Sequence, residues 1–406
     1  MSRKTSLRGL AAIAVLAVVA AACSSNNNNT TPSGSSGGGG AQKTVKLAFM
    51  GALTGAASQA VIPGYQGASL AVDEANSGKF GTLPVKIELV QEDTQGSATQ
   101  GAPVARKVTG DPSIVGVLGP NFSGESAAAG PILDQAGIPF VTWSATNPTL
   151  STNGWTHWFR ANGNDNSQGP AGADYIAKVL KPNCAFVLSD DTPYGKGLGQ
   201  IVVNTLGQAN VNVTADLGAV PAGGTGQTKD FSPFITKIKQ SNCAAVFYGG
   251  YDAEAGPLRA QMTQQGLTKV TLVGGDGAFT GTFLKDAGAA GNGSVMTCPC
   301  GDITKSHATG ASTFISDYKS KWGQDPAIYS ADAFDVTRIF INAFIAGNTT
   351  PAAITTYLTS VHYIGLARDY SFQANHELTA ADVKIFYWKD VNQKWTFLGL
   401  STDVAK

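Results

Sequence analysis

The feature that most constrains the fold is a regular alternation of strand-like runs and helix-like segments from Val45 onward. Four runs rich in β-branched residues read "VKLAFMG", "VKIELVQED", "SIVGVLG" and "PFVTWSA". Three segments with helical character lie between them: "YQGASLAVDEAN", "ATQGAPVARKV" and "ESAAAGPILDQAG". Strands separated by helices in this way pair in parallel. The pattern therefore predicts an α/β fold with a doubly wound parallel sheet covered by helices on both faces.

The same alternation starts again after Asn164. A helical segment, "GADYIAKVL", precedes the strand-like runs "CAFVLSDD", "VNVTADLG", "CAAVFYGG" and "VTLVGGD". The section from about Gly301 is mostly helical and ends in a predicted hairpin of "KIFYWKD" and "KWTFLGL". The roughly 364 residues from Lys43 exceed the usual size of one hydrophobic core, so we expect two successive α/β domains.

The first 43 residues have a different character. Basic residues precede an apolar run from Leu10 to Ala22, which is shorter than the roughly 20 residues of a membrane span and is typical of a signal peptide over residues 1–22. The sequence "VVAAAC" resembles a lipobox, which predicts cleavage before Cys23 and lipidation of that residue. The tract that follows is rich in Ser, Asn, Thr and Gly, so we expect residues 23–43 to be the lipidated cysteine and a disordered tether.

Charge and cysteine content narrow the possible functions. Basic and acidic residues are balanced at 28 each, with no basic stripe, which argues against a nucleic-acid partner. Beyond the signal peptide no apolar segment is long enough to span a membrane, so contact with the membrane is expected through the lipid anchor alone. Export permits disulfides among the four remaining cysteines.

The positions of these cysteines favour one pairing. Cys184 and Cys243 each begin a strand of the second domain, and the first and third strands of an open sheet are usually neighbours. We therefore expect a Cys184–Cys243 disulfide, which leaves Cys298 to pair with Cys300 in a small C-x-C ring. A metal site formed by "CPC" and His307 is the alternative, although the usual four ligands are not evident. No cofactor and no metal are predicted.

Candidate binding residues follow from the rule that open α/β sheets bind ligands beyond the carboxyl ends of their strands. In the first domain these positions offer hydroxyls and a helix start, which suit a carboxylate. In the second domain they offer tyrosines and a carboxylate, which suit an ammonium group. A cleft between the two would fit a zwitterionic amino acid. The strand-end residues are Asn121, Phe122, Ser123, Ser144 and Thr146 in the first domain, and Tyr194, Tyr251 and Asp276 in the second.

Each residue taken singly has a simpler interpretation. Ser123 could be only a helix N-cap, Tyr194 and Tyr251 could serve packing, and Asp276 could be a turn residue between glycines. Ser123 could also be a nucleophile. However, "NFSGES" does not match the G-x-S-x-G nucleophile elbow. None of the histidines at 157, 307, 362 and 376 stands in a convincing strand-end loop, so an enzyme is not expected.

Longer motifs resemble a known family. The stretches "GALTG", "GPNFSGESAAAGPILDQAGIPFVTWSATNPTLS", "DDTPYGKGLGQ", "KDFSPFITKIKQSNCAAVFYGGYDAEAGPLRAQMTQQGL" and "VGGDGAF" are similar to the branched-chain amino acid binding proteins of ABC importers. The similarity covers nearly the whole chain after the tether. It implies two α/β lobes joined by three crossovers, in the type I periplasmic binding protein fold.

The resemblance also implies roles for individual residues. Ser123, Ser144 and Thr146 fall on positions that hold a ligand α-carboxylate, while Tyr251 and Asp276 fall on those that hold the α-ammonium. The family often has Glu where this chain has Asp276. Further cleft positions match less closely and leave the side-chain preference open; they are Ala60, Asn121, Phe122, Trp143, Tyr194 and Tyr329.

By the same resemblance the chain divides into an N-terminal lobe, residues 44–164 plus 299–382, and a C-terminal lobe, residues 165–298 plus 383–406. The "CPC" ring would then lie at a crossover, where it could stiffen closure. The implied partners are a free amino acid, a permease and an ATPase, with the protein a monomer anchored outside the cytoplasmic membrane. A binding protein for an amide, urea or aromatic acid, or a sensor subunit, remains an alternative.

Overall fold

The computed structural model describes residues 42–221 and 228–406. The predicted signal peptide, Cys23 and the tether up to residue 41 lie outside the described residues. No helix within the described residues combines the length and the apolar character that a membrane span requires.

The first alternating section forms a five-stranded sheet in which every neighbouring pair is parallel, in the order β2-β1-β3-β4-β5. Its core strands are fully buried because both faces carry helices. The strands are β1 Thr44–Gly51, β2 Lys86–Asp93, β3 Ile114–Leu118, β4 Phe140–Thr142 and β5 Trp158–Arg160; the helices are α1 Ser58–Asn76, α2 Ala98–Thr109 and α3 Ser123–Gln135.

The second alternating section forms most of a seven-stranded sheet. Its helices are α4 Asp165–Asp174, which continues as a π-helix over Tyr175–Leu180, α5 Pro193–Gln208, α6 Ser232–Ser241, α7 Asp252–Gln264 and α8 Gly281–Ala287. Its strands are β6 Cys184–Asp190, β7 Asn212–Val220, β8 Ala245–Gly249, β9 Thr271–Gly274 and β10 Val295–Cys298. These five strands pair in parallel.

The last section contributes helices beside the first sheet, a separate two-stranded antiparallel sheet of β11 and β12, and two strands of the second sheet. Its helices are α9 Ala311–Trp322, α10 Ser330–Ile345, α11 Pro351–Thr359 and α12 Ser401–Val404. Its strands are β11 His362–Ile364, β12 Asp369–Ser371, β13 Phe386–Asp390 and β14 Trp395–Leu400. Strands β13 and β14 form the predicted hairpin and add antiparallel to β10, giving the order β14-β13-β10-β9-β8-β6-β7. The chain thus crosses between the sheets three times, after β5, after β10 and before β13. The predicted fold class is confirmed.

Helix α10 packs closely along α1, and a glycine makes this approach possible. A Cβ at Gly67 of α1 would lie 2.0 Å from the carbonyl oxygen of Ser330 at the start of α10. Because that distance is impossible for real atoms, any larger residue would push the helices apart. The contact brings the residue before α10, Tyr329, close to the first turn of α1.

Both disulfides join the pairs expected from the sequence. The Cys184–Cys243 disulfide joins the start of β6 to the segment just before β8. Strands β6 and β8 are neighbours in the sheet. Cys298 and Cys300 are bonded to each other where the chain leaves the second sheet. All four sulfurs are therefore used, which excludes thiolate ligation of a metal by "CPC". Among the described residues, no group of three or more His, Cys, Asp or Glu is arranged to hold a metal ion.

Candidate functional site

The candidate site is a cavity of about 20 Å³ between the carboxyl ends of the parallel strands of the two sheets. That volume is room for about one water molecule. Seven of its twelve lining residues are polar or aromatic residues that follow strand ends, and most of the others come from α1 and the segment before α10. The lining is Ala60, Val61, Asn121, Phe122, Ser123, Ser144, Tyr194, Tyr251, Asp276, Gly277, Ile328 and Tyr329.

The first wall of the cavity is formed by the loops after β3 and β4. The turn after β3 places three residues at the cavity, Asn121, Phe122 and Ser123. Gly119 turns the chain with φ +114°, and a Cβ there would lie 2.3 Å from the carbonyl oxygen of Met50. Only glycine fits both constraints. The turn leads through Pro120 and Asn121 to the start of α3. The helix start thus faces the cavity with the positive end of its dipole.

Ser123 is not the N-cap of this helix, contrary to the simpler interpretation of the sequence. Phe122 holds the N-cap position, and the side chain of Glu125 accepts a hydrogen bond from the Phe122 N–H at 3.0 Å. Ser123 is the first helical residue, and its Oγ accepts from the Asn147 N–H at 3.2 Å. Because a hydroxyl can accept and donate at once, the proton of Ser123 is left for a group in the cavity.

Ser144 also lines the cavity, from the loop after β4. Its Oγ donates to the carbonyl oxygen of Asn121 at 2.7 Å and lies 3.2 Å from the Nδ2 of Asn121. The two strand-end loops of this wall are thereby tied to each other. They present hydroxyl groups and a helix start at one place.

Two predicted site residues do not line the cavity. Trp143 is buried with its ring centroid 5.5 Å from that of Phe49, and it covers Gly64 of α1. The chain bends at these two residues after β4, and Ser144 faces the cavity whereas Trp143 faces the core. Thr146 is also buried outside the lining, where its side chain interacts with Asp165.

On the second wall, Asp276 follows β9 and collects three hydrogen bonds. Its Oδ1 accepts from Gln168 Nε2 at 2.8 Å and from the Tyr194 hydroxyl at 2.9 Å. Its Oδ2 accepts from the Tyr329 hydroxyl at 2.7 Å. Two carboxylate oxygens offer about four acceptor sites, so one site remains on Oδ2. Gln168 was not among the predicted site residues, although it stands in the first turn of α4.

Burial shifts the ionisation of these groups in a consistent direction. Burial raises the pKa of Asp276, and the hydrogen bonds from Tyr329, Gln168 and Tyr194 oppose that shift. Burial, followed by the charge of Asp276, raises the pKa values of Tyr194 and Tyr329 well above the usual value, so both phenols stay protonated donors. Asp276 is therefore a buried acceptor surrounded by donors, with no cation among the three.

Aromatic rings close the cavity. Tyr251 is the N-cap of α7, and its ring centroid lies 4.9 Å from that of Phe122 and 5.1 Å from that of Tyr194. The Phe122–Tyr251 contact joins the two walls. Asn147 adds a second link, because its Nδ2 donates to the carbonyl oxygen of Pro193 at 2.7 Å. Together with the Tyr329–Asp276 bond, these contacts describe a closed cleft.

Three lining residues were missed by the sequence reasoning: Val61, Gly277 and Ile328. Val61 and Ile328 contribute apolar surface, and neither belongs to a strand end, which is where the search was directed. The predicted Ala60 and Tyr329 lie beside them in the lining. The cavity thus has two polar walls and an apolar side formed by α1 and the segment before α10.

None of the described residues that line the cavity is a histidine. His157 contacts Asp134, His362 contacts Ser371, and His376 contacts the carbonyl of Trp158. The partner of the Ser123 hydroxyl is a backbone amide, so no general base activates it.

The chain is similar in sequence to known proteins. The family model described as "Periplasmic binding protein" matches residues 44–393. The leucine-specific-binding protein of Salmonella typhimurium is 32% identical over 255 residues, covering 63% of this chain and 67% of that protein. The Leu/Ile/Val-binding protein of Citrobacter freundii is 29% identical over 346 residues, covering 85% of this chain and 91% of that protein.

Solved structures show the same fold. The leucine-binding protein LivK from Thermotoga maritima superposes with a TM-score of 0.80 at 23% identity, covering 88% of this chain and 98% of that one. The branched-chain amino acid binding protein LivJ from Streptococcus pneumoniae, solved with isoleucine, gives a TM-score of 0.78 at 24% identity, with 88% and 99% coverage.

Proposed function

The chain belongs to the periplasmic binding protein family, and on that premise we propose that it binds a branched-chain amino acid in the interlobe cleft and delivers it to an ABC permease. As a member of this extracytoplasmic family it is a solute-binding protein, not an enzyme. The proposal includes the identity of the ligand, the roles of the site residues, the lobe boundaries and the lipid anchor.

The observation that carries the proposal is the opposition of two chemically different walls. Ser123 and the start of α3 offer donors to a carboxylate, and the Ser144 hydroxyl beside them would have to turn from the Asn121 carbonyl to donate as well. Across the cavity, Asp276 has one acceptor site left on Oδ2 and tyrosine rings beside it. A buried carboxylate without a cation gains most from a ligand that brings one. An α-amino acid carries both complementary groups on one carbon atom.

The apolar side of the cavity supports an aliphatic side chain. Ala60, Val61 and Ile328 line it, and the ring of Phe122 borders it. Relatives that cover most of this chain are named for leucine, isoleucine and valine binding. The cavity must widen to admit such a side chain, because about 20 Å³ holds only a water molecule.

We expect the cavity to widen by a hinge motion between two lobes. One lobe is residues 44–164 plus 299–382, and the other is residues 165–298 plus 383–406. The ligand carboxylate meets Ser123, Ser144 and the loop that carries Thr146. Closure then brings Tyr251 and Asp276 to the ammonium, with Tyr194 supporting Asp276. A ligand that makes both sets of contacts only in the closed form stabilises that form. The permease and ATPase subunits would read the closed form, with Cys23 keeping the protein at the membrane.

A thermal-shift screen of residues 42–406 tests the ligand class. L-leucine, L-isoleucine and L-valine should raise the melting temperature, since a ligand at 100 times its Kd adds about 2.7 kcal/mol to stability. Acetamide, urea and benzoate should not. A shift with benzoate or urea and none with the three amino acids would contradict the proposal.

A further inference from the structure

Arg160 lies behind the first wall of the cavity, the wall that carries Ser123 and Ser144. Neither the sequence patterns nor the cavity lining points to it. It ends β5, and it is fully buried with 0% of its surface exposed. A buried arginine needs a partner for each of its donors, because an unpaired buried charge is strongly destabilising. The partners of Arg160 therefore show what its burial serves.

The guanidinium binds the loop after β4 at two carbonyl groups. Its Nη1 donates to the carbonyl oxygen of Ala145, and its Nη2 donates to that of Asn147 at 2.8 Å and to Ser151 Oγ at 3.2 Å. These two carbonyls flank Thr146 and follow Ser144. The planar fork of the guanidinium thus fixes two peptide planes at once, which a flexible lysine ammonium cannot do.

Fixing these planes sets the direction of the loop's N–H groups. A trans peptide points its C=O and N–H in opposite directions, so the Thr146 N–H points away from Arg160. The neighbouring N–H groups are already bonded, Ala145 to Thr142 Oγ1 at 3.0 Å and Asn147 to Ser123 Oγ at 3.2 Å. Within the described part of the chain, no hydrogen bond of the Thr146 N–H is formed.

Arg160 is also anchored to the last crossover. Its Nε lies 3.0 and 3.1 Å from the two carboxylate oxygens of Glu377. Glu377 precedes β13, in the segment that returns to the second sheet, and its Oε1 also accepts from Ser151. The loop after β4 is thereby held against a crossover.

We propose that Arg160 is a positioning residue for the ligand carboxylate. It acts through the loop Ser144–Asn147: it holds the carbonyls of Ala145 and Asn147, so that the Thr146 N–H, which lies outside the lining of the closed cavity, becomes available to the carboxylate beside the Ser123 hydroxyl once the cleft widens to admit a ligand. Arg160 itself does not touch the ligand. This inference rests on the proposed function, since it assumes a ligand with a carboxylate.

The test compares L-leucine with L-leucinol, in which a hydroxymethyl group replaces the carboxylate. Calorimetric titrations are made with the wild-type chain and with Arg160→Lys. Loss of a positioned hydrogen bond to a charged group should weaken L-leucine binding by about tenfold or more. L-leucinol binding should change little. The expected result is a fall of about tenfold in the preference for L-leucine over L-leucinol.

Arg259→Lys is a matched control. Arg259 is a buried arginine of α7 that also donates to backbone carbonyls, those of Ala290 at 2.7 Å and Val270 at 3.1 Å, but it does not line the cavity. Its replacement should lower stability and leave the preference for L-leucine unchanged. A merely structural role of Arg160 would make the two variants alike.

An unchanged preference in Arg160→Lys would overturn the inference while leaving the proposed function intact. Wild-type protein that binds neither probe would instead overturn the proposed function and the inference with it. If Arg160→Lys fails to fold, the amide resonance of Thr146 in the wild-type protein decides. It should move downfield with L-leucine and not with L-leucinol, and equal responses to the two probes would contradict the contact between the Thr146 N–H and the carboxylate through which Arg160 is proposed to act.

Discussion

The hydroxyl of Tyr329 lies 2.7 Å from Oδ2 of Asp276, although 53 residues separate them and they stand on opposite sides of the cleft. Tyr329 precedes α10, which packs on α1 beside the first sheet, whereas Asp276 follows β9 of the second sheet. Tyr329 adopts a left-handed backbone conformation with φ 60°, which is unfavourable for a residue with a side chain. A strained tyrosine thus bridges the cleft at the carboxylate proposed to bind the ligand ammonium.

Removing this hydroxyl should favour the open form. A hydrogen bond to a charged group contributes about 1.5–3 kcal/mol. Tyr329→Phe should therefore shift the protein toward open conformations when no amino acid is added. Small-angle X-ray scattering should show a larger radius of gyration for the variant. Tyr318→Phe, which removes a buried hydroxyl bonded to Gln66, is the control and should leave the radius unchanged. Equal radii for all three proteins would rule out the bridge.

Asp165 should make stability depend on pH. Burial, reinforced by the charge of Asp276, raises the pKa of the Asp165 carboxyl from 3.8 to about 8. Between these values the folded protein keeps a proton that the unfolded chain releases, so stability falls as pH rises, by at most about 1.4 kcal/mol per unit.

Asp165→Asn removes this dependence. Its free energy of unfolding, measured in urea, should exceed that of the wild type at pH 7.5 and not at pH 4.5. Carboxyls with raised pKa values that do not interact with Asp165, such as Glu125, are common to both proteins and cancel in the difference. Asp174→Asn, on the same helix with 36% of its side chain exposed, is the control. A constant difference between wild type and Asp165→Asn across this pH range would contradict the assignment.

Phe122 should limit the size of the ligand side chain. Its ring packs on Tyr251 and borders the cavity, so Phe122→Ala removes a large group from the lining. We expect the variant to bind L-phenylalanine better, relative to L-valine, than the wild type does. Phe397→Ala is the control, because Phe397 packs on the ring of Phe386 in the last hairpin and does not line the cavity. Competition binding with both amino acids measures the ratio, which would stay constant if Phe122 had no part in selectivity.

Cys23 lies outside the described residues, and its role is a prediction from the sequence. Replacement by serine should prevent lipidation and release the exported protein into the soluble fraction. Fractionation followed by mass spectrometry of the mature N-terminus checks this outcome. Membrane association of the Cys23→Ser variant equal to that of the wild type would exclude the anchor.

Much of the fold follows from local patterns, and the failures have a physical cause. The long strands and helices appear in the sequence because periodicity needs several residues to show. Strands β5, β10, β11 and β12 have only three or four residues and were not predicted. Helix α1 begins at Ser58, seven residues before its predicted start, and includes Pro63.

The site residues also differ in whether the nearby sequence reveals them or only contacts with distant parts of the chain do. Strand-end reasoning found Ser123, Ser144, Tyr251 and Asp276, because parallel strands deliver their carboxyl ends to one edge. It could not tell which residues of a strand-end loop face the cavity, and so it included Thr146; the family resemblance likewise suggested Trp143, which is buried in the core. Arg160 gave no signal either, because its partners lie in a loop before it and a crossover more than 200 residues after it.

The most direct test of the account is the binding of L-leucine and of 4-methylpentanoate, which lacks the amino group, to wild type and Asp276→Asn. The wild type should bind L-leucine more tightly, and the variant should lose about 2–5 kcal/mol of L-leucine binding with little change for the acid. Asp252→Asn, a buried carboxyl of α7 bonded to Thr280 and outside the lining, should keep the wild-type preference. Calorimetry showing equal affinity for L-leucine in wild type and Asp276→Asn would contradict the central claim that Asp276 holds the ammonium of an amino acid.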